Sequence, residues 1–375
     1  MINDVLIKII GDFLNGRESE YTIDESIINL AKVHEVQGIV YHQTHNAALK
    51  SAYAYAIYSY QRRQILLNQI DRLFQKEHIS YFLVKGTEIS QYYPHPALKT
   101  MGDSDITVRL ADKERAAELL IQAGFTEKEE NRALKSEWHF YKDSLAFELH
   151  HALLYGGKDV GETENDEFLS YFSKCWDYVE GNKLSPNFHF LYLLIHLRKH
   201  FMNKGVGIRQ FIDLAVYTKA NLDWRWIIHE LQHLKIYSFA QKVFGMIYYW
   251  WKIKTPITEE IDEDFCERAT QMILSAGVFG DETDNGENHL INQMRHGMTK
   301  VQFIKKWLFP SYENMIAYKD YYALRGKRYL LPVFWIYRFI TKFKNYRSGT
   351  LLLSIDYKQI ETRNQIFKEW GLMEE

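Results

Sequence analysis

The sequence predicts an α+β protein in which a small mixed β-sheet domain lies between N-terminal helices and a large C-terminal helical region. Apolar residues recur at helical spacing in the first part of the chain and alternate at strand spacing in short runs of the second. Helical spacing then returns and continues to the end. We therefore divide the chain into residues 1–77, 78–155 and 156–375.

The first region is helical in its apolar pattern. Ile27 and Ala31 lie four residues apart and so share one helix face. The stretch from Ala48 to Gln75 is rich in tyrosine and alanine and predicts one long helix. The polar, glycine-bearing segments 155–166 and 279–288 are the predicted loops.

Three short runs in the second region predict strands. Residues 79–84 are apolar, and residues 104–108 and 145–150 alternate. In the last run, Phe147 and Leu149 share one face while Glu148 and His150 share the other. A helix over residues 111–120, ended by Gly124, separates the second strand from the third.

Two acids stand at the start of the second strand. Asp103 and Asp105 are two residues apart, so in a strand they point to the same face. Side-by-side carboxylates repel each other, and a hard divalent cation such as Mg²⁺ between them relieves that repulsion. Taken alone, the pattern is more often a turn-and-cap arrangement, so both interpretations stay open at this point.

The first strand ends in a glycine turn. Lys85, Gly86 and Thr87 follow the apolar run, and residues 88–93 predict a brief helix stopped by Pro94. A strand, a glycine turn and a helix start together direct backbone N–H groups at one place, and such groups favour phosphate.

These segments resemble the uncharacterised bacterial nucleotidyltransferase-like family, a branch of the DNA polymerase β-type nucleotidyltransferase superfamily. The similarity covers most of the chain. It rests on the segments 83–86, 92–96, 101–106, 147–150, 195–200, 208–214 and 308–311, and on the pair at 331–332.

The resemblance implies a mechanism and its residues. Asp103 and Asp105 match the family's paired catalytic acids and Glu148 the third, and together they hold Mg²⁺ or Mn²⁺, with two ions expected. The nucleotide is an NTP and the acceptor an unknown hydroxyl. The chain departs from the superfamily in having Lys85-Gly86 where Gly-Ser is usual, and Glu where the third acid is commonly Asp.

A helix in the third region is similar to the family's helical segment and is expected to form a wall of the cleft. Lys199, His200 and Arg209 are predicted to contact phosphate, together with Lys85, Gly86 and Thr87 of the turn. His150 and His196 are predicted to lie just behind these contacts. A zinc site at His196 and His200, four residues apart, is disfavoured because no third ligand stands at a recognisable spacing. Asp213 is predicted to pair with Arg209.

Composition narrows the class of protein. The 375 residues carry a formal net charge of −2, which argues against binding of long nucleic acid, and 46% are hydrophobic, which argues against disorder. Two cysteines, Cys175 and Cys266, cannot build a disulfide framework and suit a reducing cytoplasm. The N-terminal residues lack the pattern of a secretory signal, so we expect a cytoplasmic protein.

No apolar run approaches the roughly 18 residues of a membrane span. The nearest is the segment 329–337, which basic residues flank on both sides. This segment could contact a membrane surface peripherally. The favoured interpretation is an amphipathic helix packed on the domain.

The expected function is therefore Mg²⁺-dependent transfer of a nucleoside monophosphate from an NTP to a hydroxyl on a sugar, a small metabolite or a protein side chain. The alternative is an inactive relative that keeps the fold to bind a nucleotide or a partner.

Overall fold

The computed structural model describes residues 2–128, 137–155, 166–203, 205–277, 302, 305, 308–316, 319–345 and 365–372. Four helices open the chain: α1 (Ile2–Leu14), α2 (Glu25–Val33), α3 (Gln37–Thr44) and α4 (Lys50–Lys76). The side chain of Asp24 caps α2 by accepting a hydrogen bond from the Ile27 N–H. The predicted long helix is confirmed as α4, with bounds within about two residues of the prediction.

A five-stranded mixed sheet follows. Its strands are β1 (Tyr81–Val84), β2 (Asp105–Val108), β3 (Thr126–Glu127), β4 (Trp138–Lys142) and β5 (Leu145–His150), in the order β1-β2-β5-β4-β3. The pair β2–β5 is parallel and the other three pairs are antiparallel. Two helices interrupt it: α5 (Gly86–Ile89) and α6 (Lys113–Gln122). The predicted α+β class is therefore confirmed.

One face of this sheet packs against α4 and α6. Ile106 of β2 and Phe147 of β5 are fully buried there, among the apolar residues of the second half of α4 and of α6. Because side chains alternate along a strand, the neighbours of Ile106 in β2 and of Phe147 in β5 point to the opposite face. The apolar packing thus fixes which face carries the polar residues of β2 and β5.

The larger part of the core lies in the helical region, which also covers the polar face of the sheet. Its helices are α7 (Asp166–Phe172), α8 (Pro186–Asn203), α9 (Ile208–Tyr217), α10 (Trp224–His233), α11 (Tyr237–Trp251), α12 (Glu263–Ala276), α13 (Tyr312–Ile316) and α14 (Leu331–Asn345). A hairpin of β6 (Val179–Glu180) and β7 (Lys183–Leu184) precedes α8. Short 3₁₀ helices cover residues 47–49, 90–92, 96–98, 110–112, 175–178, 319–324 and 328–330.

The segment 329–337 lies at the start of α14. Its inner side, with Phe334 and Trp335, packs on a small cluster centred on the buried Leu324. The outer side is exposed: Val333 is 59% and Ile336 is 62% accessible. The helix is thus packed on one side and exposed on the other, and the choice between the two interpretations stays a prediction.

No described helix is both long enough and apolar enough to cross a membrane. Of the two predicted loops, residues 279–288 lie outside the described residues, and only the first and last residues of 155–166 lie within them. The division of the chain at residues 77 and 155 stays a prediction.

The burial of Phe147 generates a stability prediction. Phe147 is fully buried and packs edge-on against Phe125, so Phe147→Ala should lower the free energy of unfolding by about 3–5 kcal/mol. Tyr58→Ala on α4, where the side chain is 61% exposed, is the matched control and should change it by less than about 1 kcal/mol. Urea denaturation of both variants measures the difference, and equal midpoints would contradict this packing.

Candidate active site

Acidic and imidazole side chains form two rows across three neighbouring strands on the face of the sheet that α8 covers. In the first row, Glu148 of β5 lies beside Asp105 of β2 and opposite His139 of β4. In the second row, His150 lies beside Thr107. Continuing the β4–β5 register by one residue places Glu137 opposite His150. The Oε2 atom of Glu137 lies 3.8 Å from the Nδ1 atom of His150.

Asp105 is the most buried carboxylate of the cluster, at 2% exposure. Its Oδ1 atom accepts from the Lys85 ammonium at 2.5 Å and lies 3.1 Å from Nε2 of His150. Burial acts to raise the pKa of Asp105, but Lys85 and His150 outweigh it and hold the pKa below its ordinary value. Burial likewise acts to lower the pKa of Lys85, and Asp105 more than compensates, so that pKa lies well above its ordinary value.

The backbone of Lys85 is held in an unusual conformation. Its φ is 53°, in the left-handed region that non-glycine residues seldom adopt. Its N–H donates to Nε2 of His189 on α8 at 2.9 Å, and Nδ1 of His189 lies 2.9 Å from the Tyr217 hydroxyl. Burial lowers the pKa of His189 to about 3, so the ring is neutral and fixed in one tautomer with the proton on Nδ1.

Arg63 of α4 holds the loop that carries the paired acids. Its buried guanidinium donates to the Ser104 hydroxyl at 2.8 Å, to the Ala146 carbonyl at 3.2 Å and to the Met101 carbonyl at 3.3 Å. Ser104 lies between Asp103 and Asp105 in sequence. The Arg63 side chain of α4 therefore holds both the segment that leads into β2 and the start of β5.

Asp103 precedes β2 and shares a hydrogen bond with Glu148. Burial, together with the charges of Asp105 and Glu148, raises the pKa of Asp103 to about 6. Burial acts in the same direction on Glu148, but hydrogen bonds from His139 and His150 outweigh it and hold the pKa of Glu148 below its ordinary value. When the pair binds one proton, at pH values below about 6, Asp103 carries it and donates to the ionised Glu148.

His150 lies between two acids, with Nε2 3.1 Å from Asp105 and 3.4 Å from Glu148. Burial acts to lower the pKa of His150, and the two carboxylates outweigh it, so the pKa is raised. Tyr155 stacks on the ring at a centroid distance of 6.1 Å.

Helix α8 covers this face with His189, Tyr192 and His196, which stand three and four residues apart and so share one side of the helix. Burial raises the pKa of Tyr192 and, together with His200, lowers the pKa of His196 well below its ordinary value. Nε2 of His196 lies 3.0 Å from Nε2 of His200. Lys85 and His150 are close enough to His196 to lower its pKa further.

The predicted phosphate turn differs from the expectation in detail. The strained residue is Lys85 rather than Gly86, which starts α5 with an ordinary φ. A β-carbon added to Gly86 would meet Lys99 and Met101 at 3.3 Å, so the close approach at Gly86 is to the protein itself. Thr87 is buried, and its hydroxyl lies 3.9 Å from the Met101 sulfur. The Lys85 N–H is already bonded to His189.

The predicted pair of Arg209 and Asp213 is wrong. Asp213 accepts from the Tyr93 hydroxyl at 2.6 Å and pairs with the buried Lys99 at 3.0 Å. Arg209 instead pairs with Glu35 on the N-terminal side of the chain. The four-residue spacing on one helix predicted that Arg209 and Asp213 pair with each other, but in the folded protein each residue pairs with a group from another segment.

A cavity of about 320 Å³ lies beside the paired acids, between α3, α4 and the loop before β2. That size falls in the range of small-molecule sites. It extends to Gly102, the neighbour of Asp103, and its lining includes Glu35, Tyr55, Tyr60, Arg63 and Lys99.

The donors present fit a divalent cation. Carboxylate oxygens of Asp105 and Glu148 and a ring nitrogen of His150 all lie within 4.8 Å of one another. The Thr107 hydroxyl, buried on the same face, has no hydrogen-bond partner among the described residues.

The segment that builds this site is also the one shared with known sequences. A family described as "uncharacterised nucleotidyltransferase" matches residues 23–252, which is more than half of the chain. The chain belongs to this uncharacterised nucleotidyltransferase family. No curated protein and no solved structure matches it. The family match ends before the predicted C-terminal similarity at residues 308–311 and 331–332, which stays a prediction.

Five residues of the site escaped sequence reasoning: Arg63, Glu137, His139, His189 and Tyr192. The signal for the last two was present, since His189, Tyr192 and His196 recur at helical spacing before the predicted pair of histidines. The signal for His139 was its alternation with the buried Trp138 in a short strand. No local pattern distinguishes Arg63 on its helix.

The raised pKa of Asp103 generates a pH prediction. Between its ordinary value of 3.8 and about 6, the folded protein binds this proton more tightly than the unfolded chain, so stability falls as pH rises through that window. Asp103→Asn cannot ionise, so its melting temperature should exceed that of the wild type at about pH 7 but not at about pH 4.

The measurement is thermal unfolding in a metal chelator across that pH range. Asp143→Asn is the control, because Asp143 is a half-exposed acid in the β4–β5 turn that pairs with Arg62. A constant difference between Asp103→Asn and the wild type at every pH would show that Asp103 ionises normally.

Proposed function

We propose that this protein is a nucleotidyltransferase that uses a divalent cation to move a nucleoside monophosphate from an NTP to a hydroxyl acceptor. The acceptor is a sugar, a small metabolite or a protein side chain, and the working compartment is the cytoplasm. The observation that carries the proposal is the convergence of Asp103, Asp105 and Glu148 within a chain of this family.

In this proposal, Asp103, Asp105 and Glu148 hold Mg²⁺ or Mn²⁺, with two ions expected. When bound, such ions stabilise negative charge on the attacking and leaving oxygens and on the transferred phosphoryl group. Asp103 would release its proton when a cation binds, because a cation replaces that proton as the partner of the carboxylate.

Lys85 is proposed to act as a fixed positive charge at the site. Its ammonium lies in the acid cluster at 24% exposure, so it can contact a phosphate oxygen without leaving Asp105. The remaining proposed nucleotide contacts are Gly86, Thr87, Lys199, His200 and Arg209. Arg209 pairs with Glu35, which lines the cavity that extends to Gly102, so its guanidinium lies near that cavity.

His196 is proposed to accept the proton of the acceptor hydroxyl at a ring nitrogen. The lowered pKa of His196 keeps its ring neutral near pH 7, and a neutral imidazole is the form that acts as a base. His150 is less suited to that task, since its pKa is raised and its Nε2 atom lies between Asp105 and Glu148. Its role would be to hold the two carboxylates in place.

One observation favours the second candidate, an inactive binding protein. The Lys85 ammonium is already in contact with Asp105, so a permanent cation balances a carboxylate that a metal would otherwise share. A relative that had lost catalysis would keep such a pair for stability and would still bind a nucleotide or a partner through the cavity.

Labelling with nucleotides distinguishes the two. With each α-labelled NTP, Mg²⁺ or Mn²⁺ and cell extract as the source of acceptor, the wild type should transfer label, and Glu148→Gln should reduce transfer by at least about a hundredfold, because that change removes one of the proposed ligands. Asp143→Asn, on the turn of the same hairpin, should transfer as the wild type does. If no NTP is transferred, yet wild type and Glu148→Gln bind the same nucleotide equally, the binding protein is the correct assignment.

Asp105→Asn is a poor test of catalysis. It would leave the Lys85 ammonium buried without its partner, at a cost to stability of roughly 3–5 kcal/mol.

A further inference from the structure

The first inference concerns the β4 side of the acid cluster. Trp138 of β4 is buried against the apolar face of the sheet, so Glu137 and His139 on either side of it point to the polar face. His139 lies directly opposite Glu148, with Nδ1 3.1 Å from Oε1. Ligand atoms of Glu137, His139 and Glu148 all lie within 4.8 Å of one another.

We propose that Glu137, His139 and Glu148 form a second divalent-cation site, which shares Glu148 with the acids of β2 and selects a first-row transition metal over Mg²⁺. Metal–ligand distances of about 2.1 Å allow ligand atoms at most about 4.2 Å apart. A small rotation of the half-exposed Glu137 side chain therefore suffices to close the site.

The chemistry of the donors carries the selectivity. Mg²⁺ takes oxygen ligands almost exclusively, whereas imidazole nitrogen suits the later first-row metals. His139 contacts Glu148 through Nδ1, so an ion held between Glu137 and Glu148 meets a nitrogen donor. A set of two carboxylates and one imidazole fits Mn²⁺ or Zn²⁺ better than Mg²⁺.

Two further observations point to a ligand on this face. The Thr107 hydroxyl beside His150 is fully buried and has no hydrogen-bond partner among the described residues. The cluster also holds the carboxyl groups of Asp103, Asp105, Glu137 and Glu148, with the Lys85 ammonium in contact with Asp105 and the Lys113 ammonium near Glu137. A bound dication would compensate the remaining acidic charge and give the hydroxyl a neighbour.

The test is metal binding by the full-length protein, so its failure is distinguishable from a failure of the proposed transfer reaction. With Mn²⁺ as the probe, electron paramagnetic resonance should show nitrogen hyperfine coupling, and excess Mg²⁺ should displace the ion poorly. His139→Gln and Glu137→Gln should each weaken Mn²⁺ binding by at least about tenfold while leaving Mg²⁺ affinity within about twofold. His139→Gln should also reduce the nitrogen coupling.

His229→Gln, at a side chain that is 75% exposed on α10, is the matched control and should bind Mn²⁺ as the wild type does. Unchanged Mn²⁺ affinity in both His139→Gln and Glu137→Gln would overturn the proposal. So would a loss in His139→Gln alone, because Glu137 would then not be a ligand. Equal affinity of the wild type for Mg²⁺ and Mn²⁺ would contradict the proposed selectivity of the site for a first-row transition metal.

A second inference rests on α14 alone. Its outer side presents Val333, Ile336, Tyr337 and Ile340, which are 59%, 62%, 50% and 51% exposed. Their spacing of three and four residues makes one continuous apolar stripe. Tyr329, just before the helix, is 77% exposed. Exposed apolar residues scattered singly are ordinary, but a stripe along one helix side marks a contact surface.

The charge around this stripe indicates its partner. Between residues 321 and 345 the sequence has six basic residues and no acidic one. The whole chain has a net charge of −2, so this segment is strongly basic against a slightly acidic background. We infer that α14 docks on an anionic lipid surface, with its apolar stripe in the headgroup region and its basic residues against lipid phosphates.

Vesicle binding tests this inference. The protein should sediment with vesicles of phosphatidylglycerol and phosphatidylcholine, bind poorly to phosphatidylcholine alone and dissociate at high salt. Ile336→Ser with Ile340→Ser should weaken binding by at least about tenfold, because it removes the centre of the stripe. Ile121→Ser, at a 43% exposed isoleucine on α6, is the control and should bind normally.

Equal vesicle binding by the double variant and the wild type would overturn the inference. If the wild type ignores anionic vesicles and forms a dimer that the double variant loses, a second copy of the chain is the partner instead. Wild-type protein that neither binds vesicles nor dimerises would show that the stripe has no such partner.

Discussion

The buried ion pair of Lys85 and Asp105 is the interaction on which the site depends. Several acids crowd one face of a small sheet, and that arrangement persists because the Lys85 ammonium supplies positive charge and the His150 ring supplies a hydrogen bond inside the cluster. Lys85 reaches Asp105 from a left-handed backbone conformation. His189 holds that conformation through the Lys85 N–H, so this hydrogen bond is one of the contacts that couple the helical region to the sheet.

The same cluster distributes charge unequally among chemically similar groups. Asp105 and Glu148 stay ionised because cations and imidazoles contact them directly, whereas Asp103 faces mainly other carboxylates and keeps its proton to higher pH. A similar contrast separates His189, whose pKa is lowered, from His150, whose pKa is raised, although both are buried. Neighbouring charge, rather than burial alone, therefore decides the state of each group. Perturbed pKa values of this kind cluster at functional sites.

The acid cluster lies within the segment that the family match covers, whereas α14 lies outside it. The match covers the strands and helices that build the acid cluster and ends with α11. The exposed stripe of α14 lies beyond it, on a helix whose inner side alone is packed. The proposed chemistry is thus a property of the family segment. The proposed lipid contact belongs to the C-terminal helix, which would hold the same site near a surface without changing its chemistry.

Local pattern in the sequence determined the α+β class, the long helix α4 and the assignment of Glu148 and His150 to one strand face opposite Phe147 and Leu149. These follow from the spacing of apolar residues along a few turns or one strand, which each segment carries by itself. The tertiary structure decided which distant residues meet. The β4–β5 register places His139 opposite Glu148, and the packing of α8 places His189 against Lys85. Asp213 pairs with Lys99 rather than with Arg209. Such pairings depend on hydrogen-bond register and packing between segments far apart in the chain, and no local periodicity encodes them.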